Sequence, residues 1–253
     1  MAEVLKLSRR GKLVERLLRP FFGSVVGART AERLVALTFD DGPDPEWTPL
    51  VLDALARHGM RATFFLVGER AERHPGLVAR IRAEGHEIGS HSWDHPSLPE
   101  IPLAALGEQL ARTRAVLGPD TRLLRPPYGQ QTLATWRLAR AEGYRVVMWN
   151  AVAGDWRADD GATLAGRVLA ATRPGAIVLL HDSLYTFEQP EYRDRGPTIE
   201  ALAILAGRLS GWRFVTVSDL LARGRPELRY WMRRGKPGWL ARQKSAPPPD
   251  IVP

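Results

Sequence analysis

Two adjacent carboxylates, Asp40 and Asp41, stand between the apolar run 34–37 and the turn Gly42-Pro43. An apolar run that ends in a turn is typical of a buried strand that enters a loop. Parallel α/β folds place their chemistry at the carboxyl ends of such strands. Because neighbouring carboxylates repel each other, a partly buried pair needs a metal ion or an arginine to stabilise it. A solvated acidic turn is the alternative.

A second cluster, His91-Ser92-Trp93-Asp94-His95, contains two histidines four residues apart. Pro96 disfavours a continuing helix, but a loop or a single turn can still aim both imidazoles at one point. With one aspartate they would form a two-histidine, one-carboxylate metal site that leaves coordination positions open for water and substrate. A polar loop without a ligand remains the alternative.

Three further apolar runs are each followed by polar, reactive side chains: Arg125 to Tyr128, Asp155-Trp156 and His181-Asp182. Two prolines fix the backbone between Arg125 and Tyr128, so the Tyr128 N–H could act as a rigid oxyanion donor. Arg125 could pair with a strand-end aspartate. Five strand ends that carry such residues predict one shared active site.

The elements that would position these residues alternate along the chain. We predict strands at 34–39, 62–66, 87–89, 123–125, 145–149, 177–180 and 213–217, and helices near 47–58, 76–84, 102–117, 131–142, 163–171 and 197–209. This alternation predicts right-handed parallel βαβ units. Seven units in about 190 residues favour a barrel-like sheet over an open one.

The 253-residue chain has a net charge of +8 that is concentrated near its ends. Residues 1–20 carry six basic and two acidic side chains, and residues 222–253 carry eight and two. The centre is near neutral, which argues against a nucleic-acid-binding core. Cysteine is absent, so disulfides and thiolate metal sites are excluded. We predict a basic N-terminal extension (1–33), a catalytic domain (34–222) and a basic, aromatic, proline-rich C-terminal extension (223–253).

The sequence also bears on the cellular location of the protein. We find neither an apolar run long enough to span a membrane nor a secretory h-region, so we expect a cytoplasmic or membrane-peripheral protein, with secretion left open. Leu13, Val14, Leu17 and Leu18 recur at helical spacing among basic residues. This pattern predicts a short amphipathic helix that packs on the domain or contacts an anionic membrane.

The motifs Thr-Phe-Asp-Asp-Gly-Pro, His-Ser-x-x-His, Arg-x-Pro-Tyr, Asp-Trp and Leu-x-His-Asp occur in this order. Together they resemble the polysaccharide deacetylases with a NodB homology domain, carbohydrate esterase family four, from about Val35 to Leu221. The resemblance implies a distorted (β/α) barrel with about seven parallel strands. It implies a metal-dependent hydrolase that removes N-acetyl groups from amino-sugar polymers or oligosaccharides: chitooligosaccharide, peptidoglycan or lipid-linked glycan. A hydrolase of a non-sugar amide on the same fold and a non-catalytic glycan-binding protein are the alternatives.

The resemblance also implies a role for each motif. One divalent metal ion, preferably Zn²⁺ with Co²⁺ or Ni²⁺ as alternatives, would be held by Asp41, His91 and His95. Asp40 would be the general base that acts on water, and Arg125 would tether it.

On the opposite side of the site, His181 would be the general acid, and Asp155 would hydrogen-bond to it and keep it charged. Tyr128 would supply its backbone N–H to the oxyanion. Trp156 and Leu179 would line a small pocket for the acetyl methyl group.

Two features depart from the usual pattern or extend it. Val152 stands where the family often has a second aspartate, three residues before Asp155. The segment 183–196 is long and carries Tyr185, Phe187 and Tyr192 among several charges. We predict that this segment rims the cleft and shapes substrate choice, with Trp93 as another wall.

Overall fold

The computed structural model describes residues 17, 18, 20–157 and 159–234. Its strands are β1 (Ser24–Arg29), β2 (Leu34–Asp40), β3 (Ala62–Leu66), β4 (Glu87–Ser90), β5 (Leu123–Leu124), β6 (Arg145–Val146), β7 (Ala151–Val152), β8 (Ala176–His181), β9 (Arg213–Phe214) and β10 (Arg225–Arg229). Its α-helices are Trp47–Arg57, Gly68–Arg73, Pro75–Ala83, Leu103–Leu117, Leu133–Ala141, Gly161–Ala171, Gly196–Arg208 and Val217–Arg223.

The described strands form one mostly parallel sheet in the order β10-β1-β8-β2-β3-β4-β5-β6, with β7 beside β8 and β9 beside β2. Only β1 and β10 among them run antiparallel to their sheet neighbours. A bridge between Val25 and Val147 links β1 to the chain that follows β6, so the sheet curls on itself. The predicted distorted (β/α) barrel is confirmed.

Strand β2 lies at the centre of this sheet, between β8 and β3, and all seven of its residues are buried. Successive side chains of a strand point to opposite faces. Leu37 therefore packs among residues from the surrounding helices, such as Leu52, whereas Ala36 packs among residues from the strands, such as Ile177. Burial on both faces explains why this strand is a continuous apolar run rather than an alternating one.

All six predicted helices are present with ends within two residues of the predicted ones. The predicted strand at 213–217 is too long, because pairing stops at Phe214. Thr216 instead caps the helix that begins at Val217, and its side chain accepts a hydrogen bond from the Asp219 N–H. Strands β1, β7 and β10 were not predicted.

Strand β1 lies inside the segment 1–33 and β10 inside 223–253, and the two strands pair with each other. Each segment therefore contributes one strand to the sheet, while the division at 33 and 222 stays a prediction. Leu17 and Leu18 are helical and Leu17 is exposed; the rest of the predicted amphipathic helix and the residues after 234 lie outside the described part. No described helix has the length and apolar character needed to span a membrane.

Candidate active site

The register of the sheet sets the first two reactive side chains next to each other. Asp40, the last residue of β2, is paired with His181, the last residue of β8. Both residues open into a cavity of about 770 Å³ at the carboxyl edge of the sheet. Asp41, His91 and His95 line the same cavity, so residues from three predicted motifs converge there.

Asp41, His91 and His95 form a compact, buried cluster of metal-ligand atoms. Asp41 Oδ1 lies 3.2 Å from His91 Nε2 and 3.0 Å from His95 Nε2. One ligand atom from each residue lies within 4.8 Å of the other two. This is the two-histidine, one-carboxylate set that the sequence predicts.

The hydrogen bonding of His91 shows that this cluster suits a cation. His91 Nδ1 lies 2.7 Å from the backbone carbonyl oxygen of Arg125. A carbonyl only accepts, so Nδ1 donates to it, and Nε2 is the nitrogen that faces Asp41. His91 Nε2 and Asp41 Oδ1 are therefore the two atoms that would bind an ion lying between them. The carbonyl also fixes the ring orientation, as second partners of metal-binding histidines do.

The protonation states of the cluster also suit a metal. Burial alone would raise the pKa of Asp41, but His95 and His91 outweigh burial and hold that pKa well below its usual range. Burial lowers the pKa of His95, and this exceeds the opposing effect of Asp41. An ionised carboxylate and neutral imidazoles are the forms that bind metal ions.

The backbone at the site adopts an uncommon conformation. Asp41, Ser92, His95 and Tyr128 have φ angles of 75°, 68°, 56° and 58°. In the part of the chain that the structure describes, no other residue besides glycine has a positive φ. Such residues cost about 1–3 kcal/mol each and cluster at functional sites. Three of these four residues, Asp41, His95 and Tyr128, line the cavity, so the strained backbone belongs to the site.

Arg125 fixes the orientation of Asp40. Its fully buried guanidinium donates from Nη1 to Asp40 Oδ1 and to Thr38 Oγ1, both at 2.7 Å, and from Nη2 to the Met148 carbonyl at 3.1 Å. With Oδ1 occupied, Asp40 Oδ2 faces His91 Nε2 at 3.9 Å. One oxygen of Asp40 is thus reserved for the site.

His181 is held by Asp155 at two points. His181 Nδ1 lies 2.9 Å from Asp155 Oδ1, and the His181 backbone N–H donates to Asp155 Oδ2 at 2.7 Å. Burial alone would lower the pKa of His181, but the charge and hydrogen bond of Asp155, helped by Asp41 and Asp40, raise it to about 9. His181 is therefore cationic at neutral pH, with Nδ1 engaged and Nε2 left for the cavity.

Three of the four predicted substrate-binding residues line the cavity: Tyr128, Trp156 and Leu179. The Trp156 ring meets His181 edge-on, with centroids 5.7 Å apart. Val152, where the family often has an aspartate, also lines the cavity.

Trp93 lies elsewhere. Its ring packs against Gly68 and lies under the guanidinium of Arg112, 3.5 Å from the ring centroid, and it is not among the residues that line the cavity. Adjacent residues of an irregular loop need not face the same way, so the position of Trp93 between two candidate ligands did not determine its direction.

Known proteins are similar to this chain over most of its length. The family model for polysaccharide deacetylase matches residues 27–147. A peptidoglycan-N-acetylglucosamine deacetylase of Bacillus cereus is 36% identical over 192 residues, which cover 74% of this chain and 67% of the relative. A chitooligosaccharide deacetylase of Bradyrhizobium sp. is 39% identical over 196 residues, covering 74% and 88%. The chain belongs to the polysaccharide deacetylase family.

A solved structure agrees with this membership. A crystal structure of a peptidoglycan N-acetylglucosamine deacetylase, in complex with 4-naphthalen-1-yl-N-oxidanyl-benzamide, matches with a TM-score of 0.71 and 32% identity. The match covers 80% of this chain and 94% of that one. The resemblance drawn from the motifs is confirmed, and with it the deacetylase class of the enzyme.

The segment 183–196 brings a residue to the site for which the sequence predicts no specific role. The Tyr185 N–H donates to Asp41 Oδ2 at 2.8 Å, and its ring stacks on His95 with centroids 4.9 Å apart. Tyr185 therefore orients a candidate metal ligand. Other residues of the segment line the cavity, as predicted for a rim: Leu184, Thr186, Phe187, Glu188 and Tyr192.

Arg195 was missed altogether. It is 1% exposed, and its Nη1 donates to the Asp155 carbonyl at 2.7 Å and lies 3.8 Å from Asp155 Oδ2. Thr198 Oγ1 approaches the same carboxylate oxygen at 3.4 Å. Arg195 and Thr198 thus hold Asp155 in the orientation in which its side chain contacts His181. The sequence offers no signal for this role, because Arg195 is one arginine among many in a charged segment.

Proposed function

We propose that this protein hydrolyses N-acetyl groups on amino-sugar oligosaccharides or polysaccharides and uses one divalent metal ion to do so. The observation that carries the proposal is that one cavity holds three kinds of group. These are the cluster of metal-ligand atoms, the Asp40 carboxylate paired with an arginine, and the His181 imidazole paired with an aspartate. The printed names of related proteins, which act on peptidoglycan N-acetylglucosamine and on chitooligosaccharide, support the substrate class.

Asp41, His91 and His95 would hold the ion. Two imidazoles and one carboxylate suit Zn²⁺, and Co²⁺ or Ni²⁺ accept the same ligands. When bound, such an ion supplies Lewis acidity, which makes water more acidic and polarises a carbonyl group.

Asp40 is the proposed general base. Its Oδ1 is occupied by Arg125, so Oδ2 is the atom that accepts the proton of the attacking water. Arg125 keeps the carboxylate in one orientation while the new carbon–oxygen bond forms. The Tyr128 backbone N–H, placed by its left-handed φ of 58°, is the proposed donor to the oxyanion of the acetyl group.

His181 is the proposed general acid. Its Nδ1–H is directed at Asp155, so the proton on Nε2 is the one that passes to the departing sugar nitrogen as the carbon–nitrogen bond breaks. The products are acetate and a free amine. Trp156 and Leu179, on the cavity wall, would enclose the acetyl methyl group.

The test is acetate release from chitooligosaccharides, with product masses to count the acetyl groups lost. A strong chelator should abolish the activity, and Zn²⁺, Co²⁺ or Ni²⁺ should restore it. Asp41→Ala should lose the bound metal, whereas Asp40→Asn should keep it and lose about 10²–10⁴ in kcat. Asp53→Asn, at an exposed position off the cavity wall, is the matched control. Full activity of Asp41→Ala in the presence of chelator would refute the proposal.

A further inference from the structure

The chain that follows β10 is fastened onto the turn that carries Tyr128. Arg233 and Gln131 exchange both backbone hydrogen bonds, at 2.9 and 3.0 Å. Trp231 Nε1 donates to the Gly129 carbonyl at 3.0 Å, and Gln131 Nε2 donates to the Trp231 carbonyl at 2.5 Å. These bonds fix the backbone of Arg233 beside the turn whose Gly129 lines the cavity.

The side chain of Arg233 lines the cavity. Its guanidinium centre lies 5.2 Å from the centroid of the Trp231 ring, which supports the side chain without neutralising it. Within the described ranges, which stop at residue 234, Arg233 forms no salt bridge with a carboxylate. A half-buried guanidinium on a fixed backbone, facing a cavity, is available to a ligand.

The other charges on the wall do not neutralise this arginine. Asp159 is paired with Arg167 at 2.7 Å. Arg157 is exposed and, like Arg233, has no ion pair with a described residue. The remaining wall carboxylate outside the reacting centre, Glu188, is also exposed. Outside the reacting centre, the described cavity wall thus carries two unpaired guanidiniums and one unpaired carboxylate.

We propose that Arg233 binds an anionic group, a carboxylate or a phosphate, on the unit next to the sugar that loses its acetyl group. The inference rests on the proposed function and deepens it, because it makes the preferred substrate an acidic rather than a neutral glycan. A guanidinium recognises both anions through paired N–H donors. Arg157 adds attraction at longer range and, being exposed, contributes in a salt-dependent way.

The experiment compares three N-acetylated oligosaccharides of equal length: a neutral one, one with a carboxylate on alternate sugars, and one with a phosphate. The quantity measured is the ratio of kcat/KM on each acidic substrate to kcat/KM on the neutral one. Arg233→Gln should lower this ratio about 10- to 100-fold, the range for one hydrogen-bonded charge. Arg233→Lys keeps the charge and should retain part of the preference. Arg234→Gln, an exposed neighbour off the cavity wall, is the control and should change nothing.

The acidic substrate whose ratio falls identifies the anion. An unchanged ratio, or equal losses on acidic and neutral substrates, overturns the role of Arg233 while leaving the proposed deacetylase intact. If the wild type releases no acetate from any substrate, the proposed function fails instead. Calorimetric binding of the same oligosaccharides then still tests Arg233, because Arg233→Gln must weaken binding of an acidic one.

Discussion

Replacing Asp155 by asparagine should change the acid–base behaviour of His181 while keeping the shape of the site. Asparagine retains one oxygen that can face His181 Nδ1, 2.9 Å away, but it removes the negative charge and the acceptor for the His181 backbone N–H. Burial then becomes the dominant influence. We expect the pKa of His181 to fall from about 9 to below its ordinary value of 6.5.

The size of the effect follows from the same numbers. A pKa raised from 6.5 to about 9 corresponds to about 3 kcal/mol in favour of the charged imidazole. This raised pKa stabilises the folded protein fully below pH 6.5, and the contribution disappears as the pH rises through 9. In Asp155→Asn the contribution is absent. At pH 7 the variant carries a mostly neutral His181, so kcat should fall on the order of 10²–10⁴ if His181 is the general acid that we propose.

The assay is NMR titration of His181 in metal-free protein, because an ion at Asp41 would itself lower the pKa of a nearby imidazole. The signal is assigned by its absence in His181→Gln. Asp53→Asn serves as the matched control and should leave the titration unchanged. A pKa that stays near 9 in Asp155→Asn would refute the reasoning and would assign the raised value to Asp40 and Asp41 instead.

Two further substitutions test how the site is held. Arg125→Met leaves the buried carboxylate of Asp40 without its ion-pair partner. We therefore expect the free energy of unfolding, measured with urea, to fall by about 3–5 kcal/mol. A loss below about 1 kcal/mol would show that water solvates Asp40. Gly129→Ala places a methyl group 2.7 Å from the Trp149 ring at a φ of +63°. We expect the free energy of unfolding to fall by about 1–3 kcal/mol, and kcat to fall because the neighbouring Tyr128 is displaced. Wild-type values of both quantities would show that the methyl group causes no strain.

The sequence predicts the reacting centre well because strand ends carry the information. Asp40 and His181 each follow a continuous apolar run, and parallel strands bring their carboxyl ends to the same edge. The histidines follow β4 in the same way. Once the runs are recognised as parallel strands, the position of their last residues at the carboxyl edge of the sheet follows directly.

The sequence predicts poorly where position depends on packing between distant segments. Strand β10 contains Pro226 and mostly polar residues. Its sequence therefore lacks the apolar pattern by which a strand is usually predicted. Arg195 and Arg233 became notable only when their surroundings were known, since an arginine in a charged segment is usually solvated. The direction of the Trp93 ring could not be predicted for the same reason, because it packs against residues that are close in space and not in sequence.

The register between β2 and β8 has a consequence for how this enzyme can change over evolutionary time. The separation of Asp40 and His181 is set by the spacing of two hydrogen-bonded strands, about 4.8 Å, and not by the loops above them. Changes in the segment 183–196 therefore need not alter the distance between Asp40 and His181, but Tyr185 and Arg195 of this segment contact Asp41 and Asp155 and are not free to change. We expect wall residues of the segment that make no such contact, such as Phe187 and Glu188, to vary more freely among related proteins than Tyr185 and Arg195.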